Sequence, residues 1–261
     1  GTALIFAMLG IDIPLPYCFV FGALISPTDP VAVLGIMKSL NVPKRLETKV
    51  SGESLLNDGF GVVAFTILVA IASGGHHGEH VETLTIVHVF LQEVVGGIGL
   101  GFAAGFLVYL AMKRINEQNL EVTLSVALVM GITFMAFKLH TSAPLACVVA
   151  GIFIGNHGRL LAMSAETRKA VDLVWSFVDE MLNAVLFLIL GLEVVTFNFN
   201  RNAFFAILLT IPLVLAARFV CVFAPISLMK LKRDFTPGTI KVLTWGGLRG
   251  GISVALALSL P

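Results

Sequence analysis

Long apolar segments alternate with short polar ones along the whole chain, and this pattern predicts a bundle of membrane-spanning helices. Several segments approach the roughly 20 apolar residues that a helix needs to cross a bilayer. The second is interrupted near its middle, and the connections are short, so residues 1–261 are interpreted as one transmembrane domain. The expected helical segments are residues 2–10, 14–40, 44–73, 84–112, 119–139, 142–156, 168–195, 203–230 and 238–260.

Composition supports a membrane protein. The chain is 57% hydrophobic and 13% charged, against about 45–50% and about 25% in soluble domains. There is too little polar surface to cover a soluble core, so we predict an all-α polytopic membrane protein surrounded by a lipid bilayer. A net charge of +1 gives no indication of a nucleic-acid partner, and no sequence motif points to a cofactor. The chain begins without Met and ends within an apolar run, so we expect a fragment of a longer protein.

The charges of the connections predict the topology. Segments 41–49, 113–118, 156–169 and 230–234 are basic, whereas 73–82, 140–143 and 193–202 carry almost no Lys or Arg. The two kinds alternate, as a chain that crosses back and forth requires, and the basic ones are expected in the cytoplasm. The His-rich segment with His76, His77, Glu79 and His80 matches no strong zinc spacing. An exposed polar loop explains it as well as a metal site does.

The segment "GALISPTDPVAVLG" predicts a broken helix. Pro27 and Pro30 each remove a helical hydrogen bond and disfavour helical geometry in the preceding residue. Thr28 and Asp29 would therefore lie in a short extended piece, with Asp29 about 18 Å from the cytoplasmic face at about 1.5 Å per residue. Unwound backbone of this kind occurs at ion sites of secondary transporters. A kink used only for packing is the alternative, and Asp29 within the break argues against it.

The segment "VSGESLLNDGFGV" places a carboxylate near the bilayer centre. Asp58 lies about nine residues beyond Lys49, or about 13 Å into the membrane. A central Asp costs about 2.5–3.5 kcal/mol and usually marks an ion pathway or proton relay. Ser54 shares its helix face, and Glu53 and Asn57 form the adjacent stripe. An ionised Asp58 attracts a cation and a protonated one does not, which is the core of an exchanger.

The segment "WGGLRGGISVALALSL" predicts a second break. Four glycines weaken the helix around Arg249, and paired broken helices are typical of inverted-repeat transporters. Arg249 and Arg218 bring buried positive charge, and Glu53 is a natural partner for Arg218. Close helix packing is the alternative explanation of the glycines, which are Gly246, Gly247, Gly250 and Gly251.

A polar stripe on the helix predicted at 168–195 has two open interpretations. It could line a water-filled vestibule or form a contact between helices. Its members are spaced to share one helix face and are Asp172, Ser176, Asp179 and Asn183.

Three motifs, "SPTDPVAVL", "GESLLNDG" and "WGGLRGGISVALALSLP", occur in this order. They closely resemble those of the cation:proton antiporter family of bacterial NhaP-type proteins and animal sodium/proton exchangers, over essentially the whole chain. Members have about a dozen or more helices, so the resemblance implies a middle-to-late part without the first helices, the last helix and a cytoplasmic tail. It also implies an inverted-repeat fold with two broken, crossing helices, here about eight to nine helices in all. A homodimer in a bacterial inner membrane, serving pH homeostasis, is implied as well.

The resemblance further implies roles for single residues. Asp58 would carry the ion and the proton, with Asn57 beside it. Thr28 and Asp29 would form the crossing point, and Ser54 would add a ligand to the transported cation held by Asp58 and Thr28.

Charge balance follows from the same resemblance. Glu53 and Arg218 would form a structural ion pair, and Arg249 would balance charge near the second break. The family's acidic partner of Arg249 lies on an earlier helix outside this chain. Because the Asn57 side chain cannot titrate, the resemblance implies electroneutral exchange of one sodium for one proton.

Sodium/proton exchange has three alternatives. A potassium/proton antiporter of the same fold is the first, since the ligand set does not choose among sodium, lithium and potassium. A passive cation channel would need a pore lined by rings of carbonyls or charges. An intramembrane enzyme would need a catalytic set, but "GESLL" does not match GxSxG and no HExxH occurs. For an exchanger, falling pH is expected to inhibit transport by protonating Asp58.

Overall fold

The computed structural model describes residues 13–29, 33–34, 37, 44–73, 83–115, 117–196, 201–229, 238–247 and 250–260. These residues form helices and connections, and no strand occurs among them. The helices are α1 (Leu15–Leu24), α2 (Lys44–Ala72), α3 (Thr83–Met112), α4 (Gln118–Leu139), α5 (Ala143–Phe153), α6 (Ala165–Thr196), α7 (Arg201–Met229), α8 (Thr239–Trp245) and α9 (Gly251–Leu258).

The hydrophobic pattern is confirmed as a pattern of helices. Within the described ranges, five helices are long and apolar enough to cross a membrane, namely α2, α3, α4, α6 and α7. The expected interruptions are present as well, since α1 ends at Leu24 and α8 and α9 are separate helices. The segment predicted at 2–10 lies outside the described residues, as does most of 30–43.

The connection expected at 156–169 is largely helical instead. Beyond α5 the chain continues through a π-helical turn, Ile154–Gly158, and one α-helical turn, Arg159–Leu161. The next helix, α6, begins at Ala165, three residues before the expected start. The Ser164 hydroxyl accepts a hydrogen bond from the backbone N–H of Thr167 at 3.1 Å, which stabilises this helix start. Because the segment is polar, its sequence predicted a loop, whereas the helices extend beyond the apolar residues.

The chain divides into two compact units, Gly1–Asp58 with Leu192–Pro261 and Gly59–Gly191, and the boundary falls inside α2. In the second unit α3 packs against α4 and α5. Three glycines one turn apart allow close approach, namely Gly97, Gly101 and Gly105. A Cβ at Gly97 would lie 3.0 Å from the Ser142 carbonyl oxygen, one at Gly101 would overlap the backbone of Ala146, and one at Gly105 would lie 3.2 Å from Ala150 Cα. Small residues at such spacing are typical of tightly packed membrane helices.

In the first unit α7 packs against α8, and α9 contacts α1. Residues 26–29 after α1 are not helical, and neither are the described residues between α8 and α9. Both interruptions therefore lie in the same unit. The first half of α2, through Asp58, belongs to it too.

Candidate functional site

The non-helical stretch after α1 is held by the side chain of Asn57 on α2. The Ser26 hydroxyl donates a hydrogen bond to Asn57 Oδ1 at 3.1 Å, and Asn57 Nδ2 donates to the Ser26 carbonyl oxygen at 2.7 Å. A backbone carbonyl released from a helix at membrane depth needs such a partner. Both polar atoms of the Asn57 amide are therefore used in fixing the break.

The hydroxyl groups of Thr28 and Ser54 meet two residues further along the break. Their oxygens lie 3.1 Å apart, and the residues are only 1% and 4% exposed. Hydroxyl oxygens are hard ligands, and small hard cations prefer such ligands. Two such oxygens at this separation can contact a single cation.

Asp58 lies beside these hydroxyls and is half-buried. Its carboxylate accepts a hydrogen bond from the backbone N–H of Thr28, and the charge of Asp29 acts on it electrostatically. The structure thus brings together Asp58, Thr28, Ser54 and Asp29, four of the residues predicted for ion binding. The fifth, Asn57, is adjacent but engaged with Ser26.

The second break touches the first through glycine. A Cβ built on Gly250 would overlap the side chain of Asp29, including its Cβ, Cγ and Oδ2 atoms. The backbone of Gly250 is extended, with φ −115° and ψ −161°, a conformation open to any residue, so the requirement here is for space. Gly247 likewise leaves space for Arg218, because a Cβ at position 247 would lie only 2.6 Å from Arg218 Nε. The glycines therefore serve close packing, and what they pack against is the site.

Arg218 on α7 and Glu53 on α2 form an ion pair with 2.6 Å between Arg218 Nη2 and Glu53 Oε1. The Arg218 side chain is 11% exposed and that of Glu53 31%. Arg218 Nη2 also donates to the carbonyl oxygen of Leu243 on α8 at 3.2 Å. Arg218 Nε is buried without a hydrogen-bond partner among the described residues. One guanidinium thus connects three helices around the site.

A cavity of about 520 Å³ reaches this site between α1, α2 and α7. At about 30 Å³ per molecule it has room for many waters. Its walls are mostly apolar, and its polar lining is formed by Ser26, Asn57 and Arg218. The cavity is therefore lined in part by Ser26 and Asn57, the two residues that hold the break.

Other predicted sites stand apart from this cluster. Arg249 and the His-rich segment lie outside the described residues. Elsewhere in the described part, no group of three or more His, Cys, Asp or Glu side chains is arranged to hold a metal ion. In the polar stripe of α6, Asp172 forms a bidentate ion pair with Arg159, which is a contact between elements. Further along, Asn183 donates to Asp179 at 3.3 Å.

Sequence reasoning missed two participants. Ser26 precedes Pro27, and a residue before proline is biased to extended backbone with a free carbonyl, so its need for a partner was readable. The carbonyl of Leu243 has no sequence signal, because it becomes available only through the end of α8 two residues later.

Comparison with known proteins agrees with the motifs. The family model described as "Sodium/hydrogen exchanger, transmembrane" matches residues 1–261. The chain is 46% identical over 260 residues to the Na(+)/H(+) antiporter NhaP of Pseudomonas aeruginosa, covering 98% of this chain and 61% of that protein. It is 37% identical over 265 residues to the Na(+)/H(+) antiporter NhaH of Halobacillus dabanensis, covering 100% and 63%. The Na(+)/H(+) antiporter ApNhaP of Aphanothece halophytica is 34% identical over 249 residues, with 95% and 47% covered. The chain spans about three fifths of the first two relatives.

Proposed function

Because the chain belongs to the sodium/hydrogen exchanger family, we propose that it is the ion-carrying part of a secondary transporter that exchanges sodium for protons. The chain is an integral, multi-pass membrane protein of all-α architecture. The named relatives are sodium/proton antiporters, which favours transport over an enzymatic reaction. Lithium, with the same charge and smaller size, is a further candidate substrate.

The observation that carries the proposal is the position of Asp58 beside two buried hydroxyls and a helix break. An ionised Asp58 neutralises a monovalent cation, while the oxygens of Thr28 and Ser54 replace part of its water shell. A protonated Asp58 has no charge to offer, so cation and proton exclude one another. Exchange follows if the site opens to the two sides of the membrane in turn and changes sides only with a cation or a proton bound.

The proposed stoichiometry is one sodium for one proton. Asn57 does not titrate, and its amide is committed to Ser26, so Asp58 is the single proton carrier in the proposal. Asp29 is a carboxylate whose charge acts on Asp58, and it is therefore the alternative carrier that an experiment must exclude.

Assembly and location are also proposals. We expect a homodimer, as the resemblance to the antiporter family implies. A bacterial inner membrane fits the bacterial sources of the three relatives named above. There, exchange of sodium for protons would contribute to pH homeostasis.

The test uses the intact protein in proteoliposomes with an imposed pH gradient. Proton movement is followed on adding sodium and then potassium, for the wild type, Asp58→Asn and Asp29→Asn. We expect a sodium response that Asp58→Asn abolishes and that does not change when the membrane potential is clamped with an ionophore.

Three other outcomes would each change the proposal. Exchange that survives Asp58→Asn but not Asp29→Asn would move the carrier role to Asp29. A larger response to potassium would change the substrate, and cation flux without proton counterflow would indicate a channel.

A further inference from the structure

A second cavity, of about 340 Å³, lies within the unit Gly59–Gly191, between α4, α5 and α6. Its walls are apolar and include Leu128, Ile132 and Ile154. Gly151 and Gly155 also line it, and a Cβ at either position would have no atom within 4 Å. These glycines leave an open slot along one wall. We call this cavity the α4–α6 groove.

One end of the groove is cationic. Arg159 and Arg168 line it together with a single carboxylate, Asp172. Arg159 uses two N–H groups on Asp172, at 2.6 and 2.8 Å, and Arg168 uses two on the Met163 carbonyl oxygen, at 3.3 and 3.1 Å. A guanidinium has five N–H donors, so each arginine keeps donors for a further anion. Among the residues that line the groove, two positive charges against one negative charge leave an excess positive charge.

The position of this end in the membrane decides what kind of anion fits. The basic segments 113–118 and 156–169 predict that Arg159 and Arg168 lie at the cytoplasmic interface. Basic pockets between membrane helices on that side suit anionic lipid headgroups. An inorganic anion would leave the apolar slot unfilled, and a zwitterionic lipid would bring its own cation to the arginines.

We propose that the α4–α6 groove binds an anionic phospholipid, with its phosphate at Arg159 and Arg168 and an acyl chain along Gly151 and Gly155. The lipid completes the contact between α4, α5 and the first turns of α6. In the unit of residues 59–191 it fills space that the described protein side chains leave open. The groove shares no lining residue with the ion site.

The test measures lipid retention by the intact, delipidated protein with native mass spectrometry. The probes are dioleoylphosphatidylglycerol and dioleoylphosphatidylcholine, with inorganic phosphate as a competitor. Arg168→Gln removes charge from the groove, and its control is Lys169→Gln, which changes an exposed neighbour that does not line the groove. Gly151→Leu fills the slot without changing charge, and its control is Gly131→Leu, at an open position on α4 outside the groove.

We expect the wild type to retain phosphatidylglycerol in preference to phosphatidylcholine. Arg168→Gln should weaken this retention about fivefold, the effect of one basic side chain on an anionic lipid. Gly151→Leu should abolish it, and both controls should leave it unchanged. Should Arg168→Gln fail to fold because its bonds to Met163 are lost, the glycine pair alone decides.

Three results would overturn the proposal. Equal retention of the two lipids would mean non-specific apolar contact. An equal loss with Lys169→Gln would mean diffuse surface charge. Displacement of the lipid by inorganic phosphate, or retention unaffected by Gly151→Leu, would mean that the slot holds no acyl chain.

Discussion

Replacing Glu53 with Gln tests whether the ion pair with Arg218 stabilises the fold around the site. Gln keeps the shape of the side chain and an acceptor for Arg218 Nη2, which lies 2.6 Å from Glu53 Oε1, but it removes the compensating charge. Breaking a buried pair costs about 3–5 kcal/mol and an exposed pair about 0–1 kcal/mol. Arg218 is 11% exposed and Glu53 31%, so we expect an intermediate loss of about 2 kcal/mol.

The assay is thermal unfolding of the purified protein in detergent. A loss of about 2 kcal/mol should lower the Tm by roughly 4–8 °C for a chain of this size. The matched control is Asp172→Asn, which breaks a bidentate pair whose side chains are 42% and 54% exposed. That variant should lose less than about 1 kcal/mol.

A double-mutant cycle makes the reasoning refutable. Arg218→Met alone should destabilise the protein, because Glu53 then loses its partner. Combined with Glu53→Gln it should cost less than the sum of the two single losses, since no uncompensated charge remains. Additive losses, or a Glu53→Gln protein as stable as the wild type, would show that the two charges are not coupled.

Two further predictions concern the ion site itself. Lowering the pH should raise the sodium concentration for half-maximal transport, by about tenfold per pH unit once Asp58 is mostly protonated, because one proton competes with one cation. A half-saturation that stays constant from mildly acid to alkaline pH would contradict competition. Gly250→Ala should abolish transport because its Cβ would overlap Asp29. Gly52→Ala, at an open position in α2, should keep transport and add about 1 kcal/mol of stability. Equal transport activity of the Gly250→Ala and Gly52→Ala variants would show that the absence of a side chain at position 250 is not required.

The sequence predicted the helices well because hydrophobic length is a strong signal in a membrane protein. Both helix breaks were also readable, from two prolines around Asp29 and from glycines around Arg249. The pairing of Asn57 with Ser26 was not, because a helix face presents an amide without specifying which carbonyl of another segment meets it. The helical turn at Ile154–Gly158 was not predicted for a different reason, because polar residues near the membrane interface are also typical of loops.

The residues of α2 that face the first break both stabilise that break and surround the proposed ion site. Asn57 binds the Ser26 carbonyl, Ser54 meets the Thr28 hydroxyl, and Asp58 accepts from the Thr28 N–H. A hydrogen bond from a backbone N–H to a charged carboxylate is stronger than one to a neutral carboxyl. Any event that removes the charge of Asp58 therefore weakens a bond that fixes the break. A neutral oxygen ligand could hold a cation, but its bond to the backbone would not depend on protonation. This coupling gives a physical reason for a carboxylate at this position despite the cost of placing it in the membrane.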